Sequence, residues 1–420
     1  MKSVPKSVVA IARDDDVQDM VSEVFSLLGG VLQMIRPGST VVLKPNAGHR
    51  GGPESSVNTS PAVVAAVIRE VRRAKPKEII VAEAAAIGCD TMECLAMSGI
   101  SQAAQEAGAD RIIDIKRDKD LLAIPIRGAR SAMTKVKLPR FLLEADFIID
   151  IPVFKSHASM VFTNALKNLK GVVQDRVHAE MHQTVLTDAL LDLWTVIKAD
   201  LVIGDMVRPA EGFGPHTPVP FDFGCIVGGR DPVAVDATAC RMVGLDIDAV
   251  PYLKAAAERG LGVWEEDRIE VVGKQIGEVY KKMWFPYLDG FHTWPEYDIY
   301  AENACSSCQA LVAFSLEKMK ALGEYEKNKE AVIVLGRKDS LPEGVEPKNL
   351  ILCGTCLAKH RDKGIWIKGC PPGEPSVVWA IVDRQEQTGP PDNVRERMAA
   401  EDVPWMEYVR RKAAEHRGQG

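Results

Sequence analysis

The chain has 420 residues, 46% of them hydrophobic and 26% charged, with a formal net charge of −6. That length exceeds one ordinary core and implies two or three domains of a soluble globular protein. The acidic balance excludes a general nucleic-acid binder, which needs a basic face, and no apolar run reaches the roughly 20 residues of a membrane span. The opening MKSVPKSVVAIARDDD has one short apolar run broken by charge, and neither a secretory nor a twin-arginine signal. The expectation is a cytoplasmic protein with no membrane or nucleic-acid partner.

In chain order, Val8 to Ile11 reads as a strand, and Asp14-Asp15-Asp16 caps a helix from Val17 to Ile35 that ends at Pro37-Gly38. Thr40 to Leu43 is a strand, followed by Lys44-Pro45-Asn46 and a glycine-rich loop from Gly48 to Thr59. Ser60-Pro61 opens a helix with apolar residues at helical spacing, Ser60 as its cap. Glu78 to Glu83 is the next strand, and Thr91 to Ala107 the next helix, stopped by Gly108. Asp118 to Lys137 is irregular. Phe147 to Val153 is a buried strand, Thr184 to Ala199 a helix, Leu201 to Asp205 and Phe221 to Gly228 strands, and Val233 to Gly244 and 249–260 helices. Alternation of this kind predicts an α/β fold with a mostly parallel sheet and flanking helices. We divide the chain into a large α/β domain (1–272), an aromatic-rich connector (273–303), a smaller α/β cysteine-rich domain (304–388) with strands near Ala331–Leu335, Asn349–Leu352 and Ile365–Lys368, and a charged helical tail (389–420).

Five of the nine cysteines fall in the small domain, at Cys305, Cys308, Cys353, Cys356 and Cys370. In an intracellular protein, two C-x-x-C pairs and one more Cys point to a soft metal rather than to disulfides. Zinc and an iron–sulfur cluster both take four thiolates. The Gly369-Cys370-Pro371-Pro372 run favours the cluster. It resembles the last cluster-ligand segment of the small subunits of respiratory complex I and nickel–iron hydrogenases. One [4Fe–4S] cluster is expected on Cys305, Cys308, Cys356 and Cys370, with Cys353, which closes the apolar run NLILC, as core. Cys89, Cys94, Cys225 and Cys240 read as structural.

The densest polar cluster, Lys155-Ser156-His157 through Thr163-Asn164 to Lys167-Asn168 and Lys170-Gly171, follows the strand FIIDIPV. Ligands in open α/β sheets bind at the carboxyl ends of strands. Lysines suit phosphate or carboxylate, and asparagine both donates and accepts. Other strand ends repeat the theme with Lys44 and Asn46, with Asp205, and with Asp231 and Asp236. Lys44, Asn46, Asn164, Lys167, Asn168, Asp205, Asp231 and Asp236 are therefore candidate ligands of a small anionic molecule. Lys155 and His157 are the candidate catalytic pair, His157 as general acid. His178 and His182, four apart, share a helix face and suit either a metal or solvent. Walker, dinucleotide and nucleophile-elbow motifs are missing.

VVLKPN (41–46), TSPAVVAAVI (59–68), ADFIIDIPVFKSH (145–157), TNALKNLKG (163–171), GDMVRPAEGFGP (204–215) and GGRDPVAVDA (228–237) together resemble the DUF362 family, a domain of unknown function found in bacteria and archaea. The resemblance implies an α/β domain associated with iron–sulfur clusters and supplies no reaction. Family members often carry an eight-cysteine ferredoxin insert; this chain lacks it, which implies one cluster rather than two. The leading expectation is an iron–sulfur oxidoreductase acting on a small anion with electrons from an external donor such as ferredoxin, a homo-oligomer being compatible. The alternatives are a non-catalytic electron carrier or cluster-bearing partner, and a zinc-stabilised hydrolase using Asp205, Asp231 and Asp236.

Overall fold

The computed structural model describes residues 6–215, 217–289, 294–385 and 394–418. They form two compact units, Met1–Phe285 and Pro286–Gly420.

The first unit is built on an eleven-stranded mixed sheet. Its strands are β1 (Ser7–Ala12), β2 (Thr40–Pro45), β3 (Glu78–Glu83), β4 (Arg111–Asp114), β7 (Phe147–Ile151), β8 (Val153–His157), β9 (Val161–Thr163), β10 (Leu201–Phe213), β11 (Thr217–Pro220), β12 (Cys225–Gly229) and β13 (Ile269–Gly273). The main order is β13-β1-β12-β10-β7-β2-β3-β4. The run β10-β7-β2-β3-β4 is parallel throughout, and β12 is antiparallel to both its neighbours. Successive side chains of a strand point to opposite faces. Accordingly Val42, Ile80, Ile148 and Val202 enter one apolar core, while Val41, Leu43, Ile79, Val81, Ile149 and Ile203 enter the other. Both faces are covered, which is why these strands read as continuous apolar runs.

Several expected elements are divided, each by an identifiable residue. The helix expected from Val17 to Ile35 stops at Leu27, because Gly29 and Gly30 adopt φ +103° and +85°; a single turn, Val31–Met34, follows. The Thr91 to Ala107 helix breaks at Gly99 (φ +78°) into Thr91–Met97 and Ile100–Ala107. Pro152, which has no N–H to give a ladder, separates β7 from β8, and β8 runs on to His157. The expected Thr184 to Ala199 helix is Leu186–Val196, and a separate helix, Asp175–His182, carries both histidines. Strand β10 extends eight residues beyond Asp205, with an irregularity between Asp205 and Ala210. The strand expected from Phe221 begins only at Cys225. The irregular stretch Asp118 to Lys137 contains a hairpin of β5 (Leu121–Pro125) and β6 (Lys135–Pro139). Asp16 caps its helix, accepting from the Gln18 and Asp19 amides, whereas the Ser60 side chain caps nothing.

The second unit has a four-stranded parallel sheet, β14 (Asp298–Tyr300), β15 (Val332–Leu335), β16 (Leu350–Cys353) and β17 (Ile365–Ile367), in that order. Helices Ser306–Ala321 and Glu374–Asp383 bury Val312, Leu316, Met319, Val378 and Trp379 against it. The charged tail forms the helix Val394–His416. Its Trp405 packs edge-on to Phe314 at 5.1 Å, and its Glu401 accepts from the Trp379 indole at 2.8 Å.

Candidate functional site

In the first unit the carboxyl ends of β2, β3, β7 and β8 bring together a lysine-rich cluster. Lys44, at the end of β2, is 1% exposed and pairs with Glu83, at the end of β3, at 2.7 Å. Its ammonium also donates to the Pro45 carbonyl at 2.7 Å and to Asn168 Oδ1 at 3.3 Å. Asn168 Oδ1 accepts from Asn46 Nδ2 at 2.8 Å, and Asn168 Nδ2 donates to Asp150 Oδ1 at 2.7 Å. Lys155 donates to Asn46 Oδ1 at 2.9 Å and to the Val57 carbonyl. The chain approaches this floor so closely at Gly171 that a Cβ there would stand 2.1 Å from Glu83 Oε1 and 2.7 Å from Lys44 Nζ, which explains the glycine.

Lys167 and Lys170 keep part of their surface accessible, as do Asn46 and His182, around this buried floor. Lys170 donates to His182 Nε2 at 2.6 Å, and the His178 ring donates from Nε2 to the Lys170 carbonyl at 2.8 Å. The two histidines are thus both engaged with one lysine. His157 Nδ1 accepts from the Ser159 amide at 3.1 Å, which leaves Nε2 as its donor.

Positive charge dominates the cluster. Burial pushes the Asp150 carboxyl well above its usual range, and its second oxygen has no partner. Glu83 is also raised by burial, against the opposing pull of Lys44. Among the described residues, no carboxylate forms an ion pair with Lys155, Lys167 or Lys170. Burial, then Lys167, lowers Lys155 to about 7; burial, then Lys44, lowers Lys167 to about 8. Burial and the Lys167 charge hold His157 well below its usual range, so it is a neutral hydrogen-bond donor near pH 7. Lys155 is therefore better poised than His157 to release a proton near neutrality.

A site of this kind wants an anion, and the sign of its pH dependence follows. The two lysines are charged below about 7 and 8 and lose their protons above those values. Sulfate, doubly charged throughout, is expected to bind at pH 6.5 and at least about tenfold more weakly at pH 9. Without anion the sign reverses. Both folded values lie below the ordinary 10.5, so stability is expected to rise from about pH 7 toward 10.5, where only the unfolded chain still binds the protons. Calorimetric titration at the two pH values checks the first statement; equal affinities would refute it.

The candidate acids stand elsewhere in the design. Asp205 accepts from the Ser60 and Val207 amides at 2.7 and 3.0 Å. Asp236 accepts from the Ala165 and Leu166 amides at 2.8 and 3.1 Å. Asp231 caps its helix through Val233 and Ala234 and accepts from the Ser7 hydroxyl at 2.6 Å. All three accept from backbone amides. Asn164 is fully buried and leans toward Asp236 without a well-formed hydrogen bond. Glu83 and Asp150 belong to the site although their sequence context singled out neither. The available signal was a charged group closing an apolar strand. Two surface cavities, of about 360 and 470 Å³, lie against Arg241, Glu266 and Gln275, and against Arg13, Asp222 and Lys281; neither is lined by Lys44, Lys155, Lys167 or Lys170.

In the second unit all five thiols gather at the carboxyl end of the small sheet. Cys305 caps the helix Ser306–Ala321 and Cys308 lies in its first turn. Cys353 ends β16, Cys356 lies in the following turn, and Cys370 follows β17. The Cys308 thiol is close enough to Cys305, Cys353 and Cys356 for each to act on its ionisation. A Cβ on Gly354 would stand 3.5 Å from the Cys356 sulfur and 3.8 Å from that of Cys308. The Thr355 amide and hydroxyl donate to the Gly369 carbonyl at 2.8 and 3.0 Å, tying the Cys356 turn to the segment before Cys370. Cys308, then burial, pushes the Cys305 thiol far up. At Cys308 the effect of Cys305 pulls down, but Cys353 and burial prevail and the thiol is raised. Burial and Cys305 raise Cys356. Thiols that oppose one another's ionisation are those a cation would deprotonate together. Among the described residues no three His, Cys, Asp or Glu side chains are grouped closely enough to hold a metal ion as they stand.

A family model described as a domain of unknown function, DUF362, matches residues 41–241, which hold every lysine and asparagine of the first site. A thylakoid-associated protein of Synechocystis sp. is 30% identical over 247 residues, 56% of this chain and 72% of its own length. Two solved structures show a distant likeness. One is the lactate racemase apoprotein of Thermoanaerobacterium thermosaccharolyticum (TM-score 0.38, 13% identity, 57% of each chain). The other is a protein from Thermotoga maritima (TM-score 0.35, 15% identity, 55% of this chain and 60% of that one). The chain thus spans less than two thirds of either. No helix among the described residues is long and apolar enough to cross a membrane. By its matched region and its cyanobacterial relative, the chain belongs to the DUF362 family.

Proposed function

We propose that the chain is an iron–sulfur oxidoreductase acting on a small anionic molecule, with electrons from an external one-electron donor such as a ferredoxin. The observation that carries this reading is the gathering of five thiols, brought from three segments, at one end of the small sheet. Cys305, Cys308, Cys356 and Cys370 would hold the [4Fe–4S] cluster, which supplies one-electron transfer when bound. The lysine cluster supports the anionic substrate. Lys167 would hold its charge, Lys170, pushed well below the ordinary lysine range by burial and by Lys167, would add a hydrogen bond, Asn46 and Asn168 would orient it, and Lys44 stays fixed by Glu83. Lys155 would give up the proton, and neutral His157 would donate a hydrogen bond.

The test is anaerobic purification followed by an optical spectrum and analysis of iron, acid-labile sulfide and zinc. The expected protein is brown, with iron and sulfide in equal amounts; stoichiometric zinc without sulfide would refute the reading. In a screen of small acids with reduced viologen, Lys155→Met is expected to lower turnover at least about 100-fold while leaving the spectrum intact. An effect on partner binding alone would assign the protein as an electron carrier.

A further inference from the structure

Cys89 and Cys94 flank the start of the helix Thr91–Met97, and the residue between them and the helix, Asp90, is its cap. Asp90 Oδ1 accepts from the Glu93 amide at 3.0 Å. Counted from that cap, Cys89 stands at N′ and Cys94 at N4, the two positions that touch across a helix start and usually hold an apolar staple. Here the staple is made of two thiols, each close enough to shift the other's ionisation.

The two are not equivalent. Cys94 is fully buried, whereas Cys89 is partly exposed. The Cys89 sulfur also lies in the field of the Arg50 and Lys116 side chains. Lys116 is held there by hydrogen bonds to the Cys89 and Ala86 carbonyls at 3.0 and 2.9 Å. Glu93, which pairs with Arg50, Asp90, which pairs with Arg117, and Asp175, which pairs with Lys116 at 2.7 Å, are nearby acids. An accessible sulfur beside two cations, backed by a buried second thiol, is the arrangement of an attacking and a resolving cysteine.

We propose that Cys89 and Cys94 form a reversible dithiol–disulfide centre, independent of the C-terminal thiols, whose oxidant is a small hydroperoxide. The Cys89 thiolate attacks the peroxide, the O–O bond breaks, an S–O bond forms, and the alkoxide leaves as alcohol (or water) with a proton from solvent. The Cys94 sulfur then attacks the sulfenic acid, an S–S bond forms, and the hydroxyl leaves as water with the Cys94 proton. The two thiols supply the two electrons that reduce the peroxide, and an external dithiol restores them. Cys94, against burial, lowers Cys89 to about 6, while Cys94 is raised, first by Cys89 and then by burial. The centre also sits beside the first site, since the Ala86 amide donates at 2.9 Å to the Gly48 carbonyl, two residues beyond Asn46.

Both cysteines fall in one tryptic peptide, residues 78–111, which has no internal lysine or arginine. The full chain, purified anaerobically, is treated with hydrogen peroxide, alkylated and mapped by mass spectrometry without reduction. The expected result is a 78–111 peptide two hydrogens lighter and resistant to alkylation, formed at least about tenfold faster than any modification of buried Cys225 or Cys240, and reversed by dithiothreitol. In Cys94→Ser, Cys89 is expected to stop at the sulfenic acid and be trapped by dimedone. A 78–111 peptide that keeps two alkylatable thiols, or a Cys94→Ser chain without the dimedone adduct, would overturn the proposal. Because the readout is a mass change in one peptide, metal in the second unit does not affect it.

Discussion

Lys44→Met is expected to lower the stability of the first unit by about 3–5 kcal/mol, because removing one member of a buried ion pair leaves the other uncompensated. Lys44 and Glu83 are 1% and 2% exposed and meet at 2.7 Å between the ends of adjacent parallel strands. The methionine fills the space of the aliphatic stem but gives nothing to Glu83, to the Pro45 carbonyl or to Asn168. Glu83 still accepts from the Ala47 and Ala84 amides at 3.1 and 2.8 Å, but burial already raises it, and without the lysine it is expected to take up a proton at neutral pH. Native-state hydrogen exchange of the β2 and β3 amides isolates the effect from the second unit. In the double variant Lys44→Met, Glu83→Leu more than half of the loss is expected to return, since paired burial of apolar groups is often neutral. A single-variant cost below about 1 kcal/mol, the range of an exposed pair, would show that the two groups are not buried as charges.

The second large effect concerns the C-terminal thiols. Cys308→Ala is expected to abolish the visible absorbance and most of the iron, and Cys356→Ala and Cys370→Ala to do the same, while Cys353→Ala keeps the colour. Cys308 is the hub: Cys305, Cys353 and Cys356 all act on its ionisation, and its sulfur flanks Gly354 beside that of Cys356. Cys353 is also close, but it belongs to the core, fully buried at the end of β16 among Ile351, Ile367 and Leu335. Its removal leaves a small cavity, a cost in stability rather than in metal. Iron analysis of the four variants checks this. Loss of iron in Cys353→Ala, with retention in Cys356→Ala, would move the fourth ligand inward.

Much of the architecture is written in local patterns. Continuous apolar runs such as Val41–Leu43, Ile79–Ala82 and Phe147–Ile151 announce strands covered on both faces, and the helices between them make the sheet largely parallel. From that alone, Lys44, Asn46, Lys155 and Asn168 could be placed at one end of the sheet, because parallel strands end together, and the structure joins them by hydrogen bonds. The same logic placed Cys305, Cys353, Cys356 and Cys370 at ends of elements in the small unit. Breaks were less legible where a glycine could be read as a tolerated helix residue; Gly29, Gly30 and Gly99 take positive φ instead and end their helices.

What only the tertiary structure decided is the partner of each polar group. Asp205, Asp231 and Asp236 have the same chemistry whether they hold a ligand or the protein's own donors, and their partners, the Ser60 amide, the Ser7 hydroxyl and the Ala165 amide, are remote in sequence. Glu83 meets Lys44 across 39 positions, and Asn168 meets Lys44 across 124. His182 looked like one half of a histidine pair until Lys170, from the preceding turn, filled its Nε2. A local pattern reports periodicity and caps because those depend on neighbours in the chain; charge state and hydrogen-bond assignment depend on burial and on groups brought from far away.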